Sequence, residues 1–189
     1  MHESMYNSVY YCINKVKTTY KWLNYVMARN VYFAQDFGGV KMYDSRPETI
    51  NHIDKVKELL SKFSNELAIR GLIHDVSKLR DKEKPIFDEY TPKLKDCTYG
   101  SDEYKSYLSE MQVALKHHYS ENKHHPEHYE NGIKGMTLID ICEMICDWKA
   151  ATLRHNDGDI MKSIELNQNR FGYSDELKQI LINTVNAMF

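Results

Sequence analysis

Thr137-Leu138-Ile139-Asp140-Ile141-Cys142-Glu143-Met144-Ile145-Cys146-Asp147-Trp148-Lys149-Ala150-Ala151-Thr152-Leu153 is the stretch whose composition decides the fold. Almost every residue from Leu138 to Leu153 is apolar or small, which predicts a mostly buried helix over Met136–Arg154. The exceptions are Asp140, Glu143 and Asp147, which share one stripe at steps of three and four. An unpaired buried charge costs on the order of several kcal/mol, so such carboxylates need a partner. For Asp147 a functional partner is the expectation. Asp140 is expected to face water or to meet Lys or Arg.

Downstream, Asp157-Gly158-Asp159 breaks this helix and two further helices finish the chain. Upstream, Ser101-Asp102-Glu103 opens a helix with an N-cap residue and acidic first-turn residues. Its apolar stripe runs Tyr104, Tyr107, Leu108, Met111, Ala114, Leu115, and the next position on it is His118, not His117. A polar, His-rich connection follows from Tyr119 to Gly135. Another helix is expected over Pro85–Lys95. Earlier still, Pro47 opens a helix whose inner face reads Ile53, Val56, Leu60, Phe63 and Leu67, with His52 on its flank. A separate helix is expected over Asn65–Leu79.

The first helix is expected from about Tyr6 to Arg29, with Tyr6, Val9, Ile13, Val16, Tyr20, Leu23 and Met27 on one stripe. That stripe packs on the chain's own core or pairs with a second copy in a homo-oligomer. Asn30–Arg46, with Gly38-Gly39, is a short hairpin or a loop. No convincing strand stands elsewhere, so the class is all-α: a helical bundle over 47–189 with an N-terminal helix and loop, 1–46, packed on it.

Bulk properties narrow the function. The 189 residues suit one domain with a helical extension. A net charge of −2 lacks the basic surplus of a duplex binder. Tyr10, Tyr11, Tyr20, Trp22 and Tyr25 near Lys15, Lys17 and Lys21 are a combination that can hold single strands, but the helical stripe explains Tyr20 without it, so nucleic acid is not an expected partner. No run of 18 apolar residues offers a membrane span, and Met1-His2-Glu3-Ser4 does not open a signal peptide. Cys12, Cys97, Cys142 and Cys146 form no zinc quartet and are expected as reduced core thiols. A cytoplasmic location is the expectation.

The histidines carry the chemistry. In Arg70-Gly71-Leu72-Ile73-His74-Asp75-Val76-Ser77-Lys78, a helix puts Lys78 one turn after His74 and Asp75, on one patch. The order His52, His74-Asp75, His117-His118, Asp147 resembles the HD superfamily of helical, metal-dependent phosphohydrolases. Ile73–Lys78 is similar to the "HDxGK" form of its central motif, with Ser77 where many members have Gly. Ala114-Leu115-Lys116-His117-His118, followed 29 residues after His118 by Asp147, resembles the HD-GYP subgroup. The "GYP" signature itself is absent, so cyclic-di-nucleotide specificity does not carry over. His124-His125-Pro126-Glu127-His128-Tyr129 and Glu143–Trp148 look closest to a small HD-like family of bacteria and phages.

The resemblance covers about Pro47 to Arg154. It implies an HD-like bundle and a metal held by His52, His74, Asp75 and Asp147. Imidazoles with carboxylates suit one or two divalent ions among Mn, Fe, Ni, Zn and Mg. Such an ion lowers the pKa of bound water toward ~7 and polarises a phosphoryl oxygen. His118 is a further ligand or a hydrogen-bonded core histidine. His124 or His125 completes a second metal site, grips phosphate, or is a solvated loop residue. His117 and His128 are expected to be exposed.

Lys78 is assigned to the phosphate charge, and Glu143 or a connection histidine, His125, to the leaving group. The expected function is hydrolysis of a small phosphorylated metabolite, a nucleotide or cyclic nucleotide. The alternative is a metal-containing protein that sequesters a nucleotide signal without turnover.

Overall fold

The computed structural model describes residues 43–98, 101–154 and 158–189. Among these the protein is all-α, with seven α-helices, three short 3-10 turns and no strand. The helices are α1 (Arg46–Ile73), α2 (Lys84–Asp96), α3 (Asp102–Glu110), α4 (Gln112–Glu121), α5 (Leu138–Thr152), α6 (Ile160–Phe171) and α7 (Asp175–Met188). None of them is long and apolar enough to cross a membrane. The chain divides into two compact units, 1–48 and 49–189. In the first, the Arg46 guanidinium forks onto the Asp44 carboxylate at 2.7 Å. The helix expected over Tyr6–Arg29, its packing, and most of the Asn30–Arg46 loop lie outside the described residues.

The core of the second unit is the contact of α5, α6 and α7. Ile145, Ile160, Ile164, Tyr173, Leu181 and Val185 are buried together, with Ile133, Ile141 and Trp148 against them. Burying an Ile or Leu side chain contributes about 1.5–3 kcal/mol. Local sequence sets where these helices begin. Thr137 and Asp140 form a reciprocal capping box at the start of α5. The Asp159 carboxylate accepts the Met161 and Lys162 N–H groups at the start of α6. Gly172, at φ 64°, ends α6 in the left-handed conformation that a side chain resists.

Ser101 caps the next element as expected, accepting from the Tyr104 N–H. The single helix expected from there to His118 is two, α3 and α4, parted at Met111. Backbone bonds from Met111 N–H to Tyr107 and from Leu115 N–H to Met111 bridge the interruption at 3.0 Å. Helical phase is therefore kept, and Met111, Ala114, Leu115 and His118 share the buried side.

The larger departure is at α1. The two helices expected from Pro47 and over Asn65–Leu79 are one helix, which ends at Ile73. Ser64-Asn65 does not break it. Asp75 does, at φ 57°, and Val76–Leu79 is a 3-10 turn. Asp is among the few residues that visit this region at modest cost. Asp75 and Lys78 are thus brought together across a 3-10 turn that follows His74, rather than along a continuing α-helix.

Candidate metal centre

Three elements meet just after α1: the 3-10 turn, the end of α4 with the connection behind it, and the face of α5. Asn122 caps α4 and ties the first two together, since its amide donates to Ser77 Oγ at 2.8 Å and to the His118 carbonyl at 2.8 Å. The chain then turns tightly, with the His125 N–H on the Asn122 carbonyl and Pro126 buried. That turn folds His124 and His125 back over His118.

The first cluster comprises Asp75, His118, His124 and His125, whose ligand atoms all lie within 4.8 Å of one another. His118 Nε2 stands 2.9 Å from His125 Nε2 and 3.3 Å from Asp75 Oδ1, and His124 Nε2 stands 3.5 Å from the same oxygen. His118 and His124 are each 1% exposed. Among the described residues, Asp75 Oδ1 and His124 Nε2 are the buried side-chain atoms that make no hydrogen bond. An orphaned buried polar atom costs about 1–3 kcal/mol. Two of them, facing one another among imidazole nitrogens, fit a cation, which would satisfy both. Burial, and then the neighbouring His124 and His118 rings, lower the pKa of His125 to about 3, so it offers a neutral lone pair.

The second cluster comprises His74, Asp75 and Asp147. His74 Nε2 lies 3.5 Å from Asp75 Oδ2 and 3.6 Å from Asp147 Oδ1. Chiefly the Asp147 carboxylate, and then Glu143, raise His74 to about 10. Burial opposes ionisation of Asp75, but His118, Lys78 and His74 outweigh it and hold its carboxyl well below the usual range. Burial likewise opposes ionisation of Asp147, and His74 and His124 overcome it. Asp75 therefore presents one oxygen to each cluster. At the rim, Lys78 Nζ reaches Asp75 Oδ2 at 2.6 Å and sits 5.0 Å from the Phe87 ring centre.

Two carboxylates stand behind the rings. Glu83, fully buried just before α2, accepts from His118 Nδ1 at 3.0 Å, His117 Nδ1 at 2.6 Å and Ser77 Oγ at 3.0 Å. Glu143 Oε1 lies 2.9 Å from His74 Nδ1 and 3.1 Å from His124 Nδ1, while its Oε2 takes Arg70 Nε at 2.6 Å. His74, His124 and Glu143 also lie close enough to hold an ion. Both contacts use Nδ1 at hydrogen-bond distance, and we assign them as Nδ1–H donors to the carboxylate. That leaves His124 Nε2 free and aims His74 Nε2 at Asp75 and Asp147, the arrangement by which carboxylates orient metal-ligating histidines. Arg70 also holds Asp140 at 2.7 Å, and Asp140 accepts from Tyr129 OH and from the Thr137 hydroxyl and N–H.

The residues predicted from sequence divide accordingly. His74, Asp75, His118 and Asp147 are brought together, and Lys78 is beside them. His118 is buried, as helical phase required, whereas His117, expected to be exposed, is half-buried, its side chain tied to the buried Glu83. His52 is elsewhere. It is exposed on the unbroken α1, so that at about 1.5 Å per residue roughly 30 Å of helix separates it from Ile73.

Glu143 does not stand as a leaving-group acid. Burial opposes its ionisation, but His124, His74 and Arg70 prevail and keep it a carboxylate, with both oxygens engaged. His125 stands among the ligand atoms rather than apart from them. Asp140 meets a basic partner, Arg70, one of its two expected environments. His128 is half-buried, with Nδ1 on the Tyr119 carbonyl. Glu83 and Arg70 were not anticipated, and His124 was only one of several open assignments.

No curated protein and no solved structure matches this chain. One family model matches residues 41–187, more than three quarters of the sequence, and takes in every element of the site. The chain belongs to that family, described as a family of unknown function (DUF5662).

Proposed function

We propose that this chain is a metal-dependent phosphohydrolase acting on a small phosphorylated metabolite, a nucleotide or cyclic nucleotide, with two adjacent cation subsites that share Asp75. The observation that carries this reading is the facing pair of unsatisfied buried atoms, Asp75 Oδ1 and His124 Nε2, inside a ring of imidazoles. His118, His124, His125 and Asp75 would hold one divalent ion; His74, Asp75 and Asp147 would hold the other. Bound there, such ions supply Lewis-acid polarisation of a phosphoryl oxygen and a lowered pKa of water. The resemblance to HD proteins supports the same reaction class. Cys97, Cys142 and Cys146 are free thiols, which fits the proposed cytoplasmic setting, although Cys142 and Cys146 are exposed rather than in the core as expected.

The chain's own residues do the rest. Lys78 commits one side of its ammonium to Asp75 and, about a third exposed, keeps other N–H donors for a phosphate at the rim. Glu83 and Glu143 keep the imidazoles aimed inward. His74, held as an imidazolium chiefly by Asp147, would have to give up its Nε2 proton to hold an ion in the second subsite.

One observation favours the second reading, sequestration without turnover: Glu143, the acid expected to assist the leaving group, is fully engaged elsewhere. Product formation separates the two. Protein reloaded in turn with Mn, Fe, Ni, Zn or Mg is incubated with nucleoside mono-, di- and triphosphates and cyclic nucleotides, and phosphate or opened ring is measured. Turnover that disappears in His124→Ala supports the hydrolase. Saturable nucleotide binding without product supports sequestration. Neither binding nor product with any metal contradicts both.

A further inference from the structure

We infer that Glu143 is the positioning residue of both cation subsites at once, a role that rests on the two-subsite reading of the centre. A single oxygen, Oε1, is within 2.9 Å of His74 Nδ1 and 3.1 Å of His124 Nδ1. His74 belongs to the subsite with Asp147, and His124 to the subsite with His118 and His125. The side chain of Glu143 is only 9% exposed, and Arg70 Nε clamps its other oxygen at 2.6 Å. Arg70 is anchored in turn by Asp140, which sits in the capping box that starts α5. The oxygen that aims one ring of each subsite is therefore fixed by the backbone geometry of a helix start. Glu83 does the corresponding work for His118 alone among the ligands.

The chemistry makes one substitution decisive. In Glu143→Gln the Arg70 N–H still requires an acceptor, so the amide oxygen turns to Arg70 and the NH2 group turns to the two rings. An amide NH2 only donates, so each ring must present a lone pair at Nδ1 and carry its proton on Nε2. A protonated Nε2 does not bind a cation. One change outside both ligand sets thus reverses the tautomer of one ligand in each subsite.

The test is metal binding by wild-type protein, Glu143→Gln and Glu83→Gln, with Zn2+ and Mn2+ alone as probes. Titration calorimetry reads both subsites. Two-dimensional 1H–15N spectra of the Zn-loaded imidazoles read which nitrogen carries the proton. Loss of an orienting partner typically costs ~10–100-fold in metal affinity. Glu143→Gln is expected to weaken both subsites by that factor and to lose the Nδ1–H signals of His74 and His124, with that of His118 retained. Glu83→Gln is expected to weaken one subsite and to lose the His118 signal.

If Glu143→Gln does not fold, Glu143→Asp carries the same test, because it keeps the charge for Arg70 and withdraws the oxygen from both rings. Weakening of one subsite or neither, with the imidazole signals unchanged, overturns the role of Glu143. One ion per chain in wild-type protein overturns it too, while leaving a single-metal centre standing. No ion in wild-type protein overturns the metal reading itself.

Discussion

Arg70→Met is the perturbation that most exposes how the centre is built. The guanidinium is 12% exposed and bridges two buried carboxylates, Asp140 and Glu143, whose side chains are 2% and 9% exposed. Met fills much of the same volume but leaves both acids facing an apolar group. Removing one partner of a buried ion pair costs about 3–5 kcal/mol. Thr137, Tyr129, His74 and His124 remain as partners and favour the low end. At roughly 2–4 °C per kcal/mol for a domain of this size, the melting temperature falls by about 6–15 °C.

The pH dependence has a definite sign. Asp140 and Glu143 are both held below their ordinary values against the effect of burial, Asp140 by Thr137, Tyr129 and Arg70. Stability from a depressed carboxyl is full above its unfolded pKa, ~4, and is lost as pH falls through the folded value. Without Arg70 that depression shrinks. The gap between wild type and Arg70→Met should be widest near pH 7 and close progressively below about pH 4. Melting curves by circular dichroism on metal-free protein read it. A gap under ~3 °C at pH 7, or one of equal size at pH 7 and pH 3, refutes the reasoning.

Ile164→Ala, at a residue with no exposed surface in the contact of α5, α6 and α7, should cost about 2–5 kcal/mol by denaturant titration without altering metal stoichiometry. Lys78→Ala should keep the metal and weaken inorganic phosphate binding about tenfold, the worth of one charge-assisted hydrogen bond, measured by calorimetry on metal-loaded protein. His52→Ala should leave metal affinity unchanged, whereas His124→Ala should lower it by at least about tenfold.

Legibility in the sequence followed periodicity only in part: the stripe Ile53, Val56, Leu60, Phe63 and Leu67, read as the inner face of its helix, is exposed on α1. The inward phase of His118 was readable because an apolar stripe carries phase along a helix, and the backbone kept that phase across Met111; α5, read as mostly buried, buries only Asp140, Met144 and Ile145. The cap at Ser101 was readable from its hydroxyl followed by two acidic residues. The left-handed residue at Asp75 was not readable, since Asp adopts that conformation at only a minority of positions and nothing around it singles this one out. Reading a helix through Leu79, with a boundary near Asn65, left His52 free to fold back; the continuous α1 removes that freedom.

His124 and His125 lie past the end of α4, where phase no longer constrains them, and Asn122 and Pro126 set the turn. Their only advance signal was the His-His-Pro run. Glu83 had none: it acts through distant partners, His117 and His118, and no spacing relation singles it out.

Elemental analysis of the metal content is the most direct test of the central claim. Protein purified without a His tag or added metal is stripped, reloaded separately with Mn, Fe, Ni or Zn, desalted and assayed. Convergence of Asp75, His118, His124 and His125 predicts at least about one ion per chain with one or more of these metals, with deprotonated ligands binding well at neutral pH. Less than about 0.2 ion per chain after every reload would contradict the account, since a formed site of this donor set does not stay empty at saturating metal.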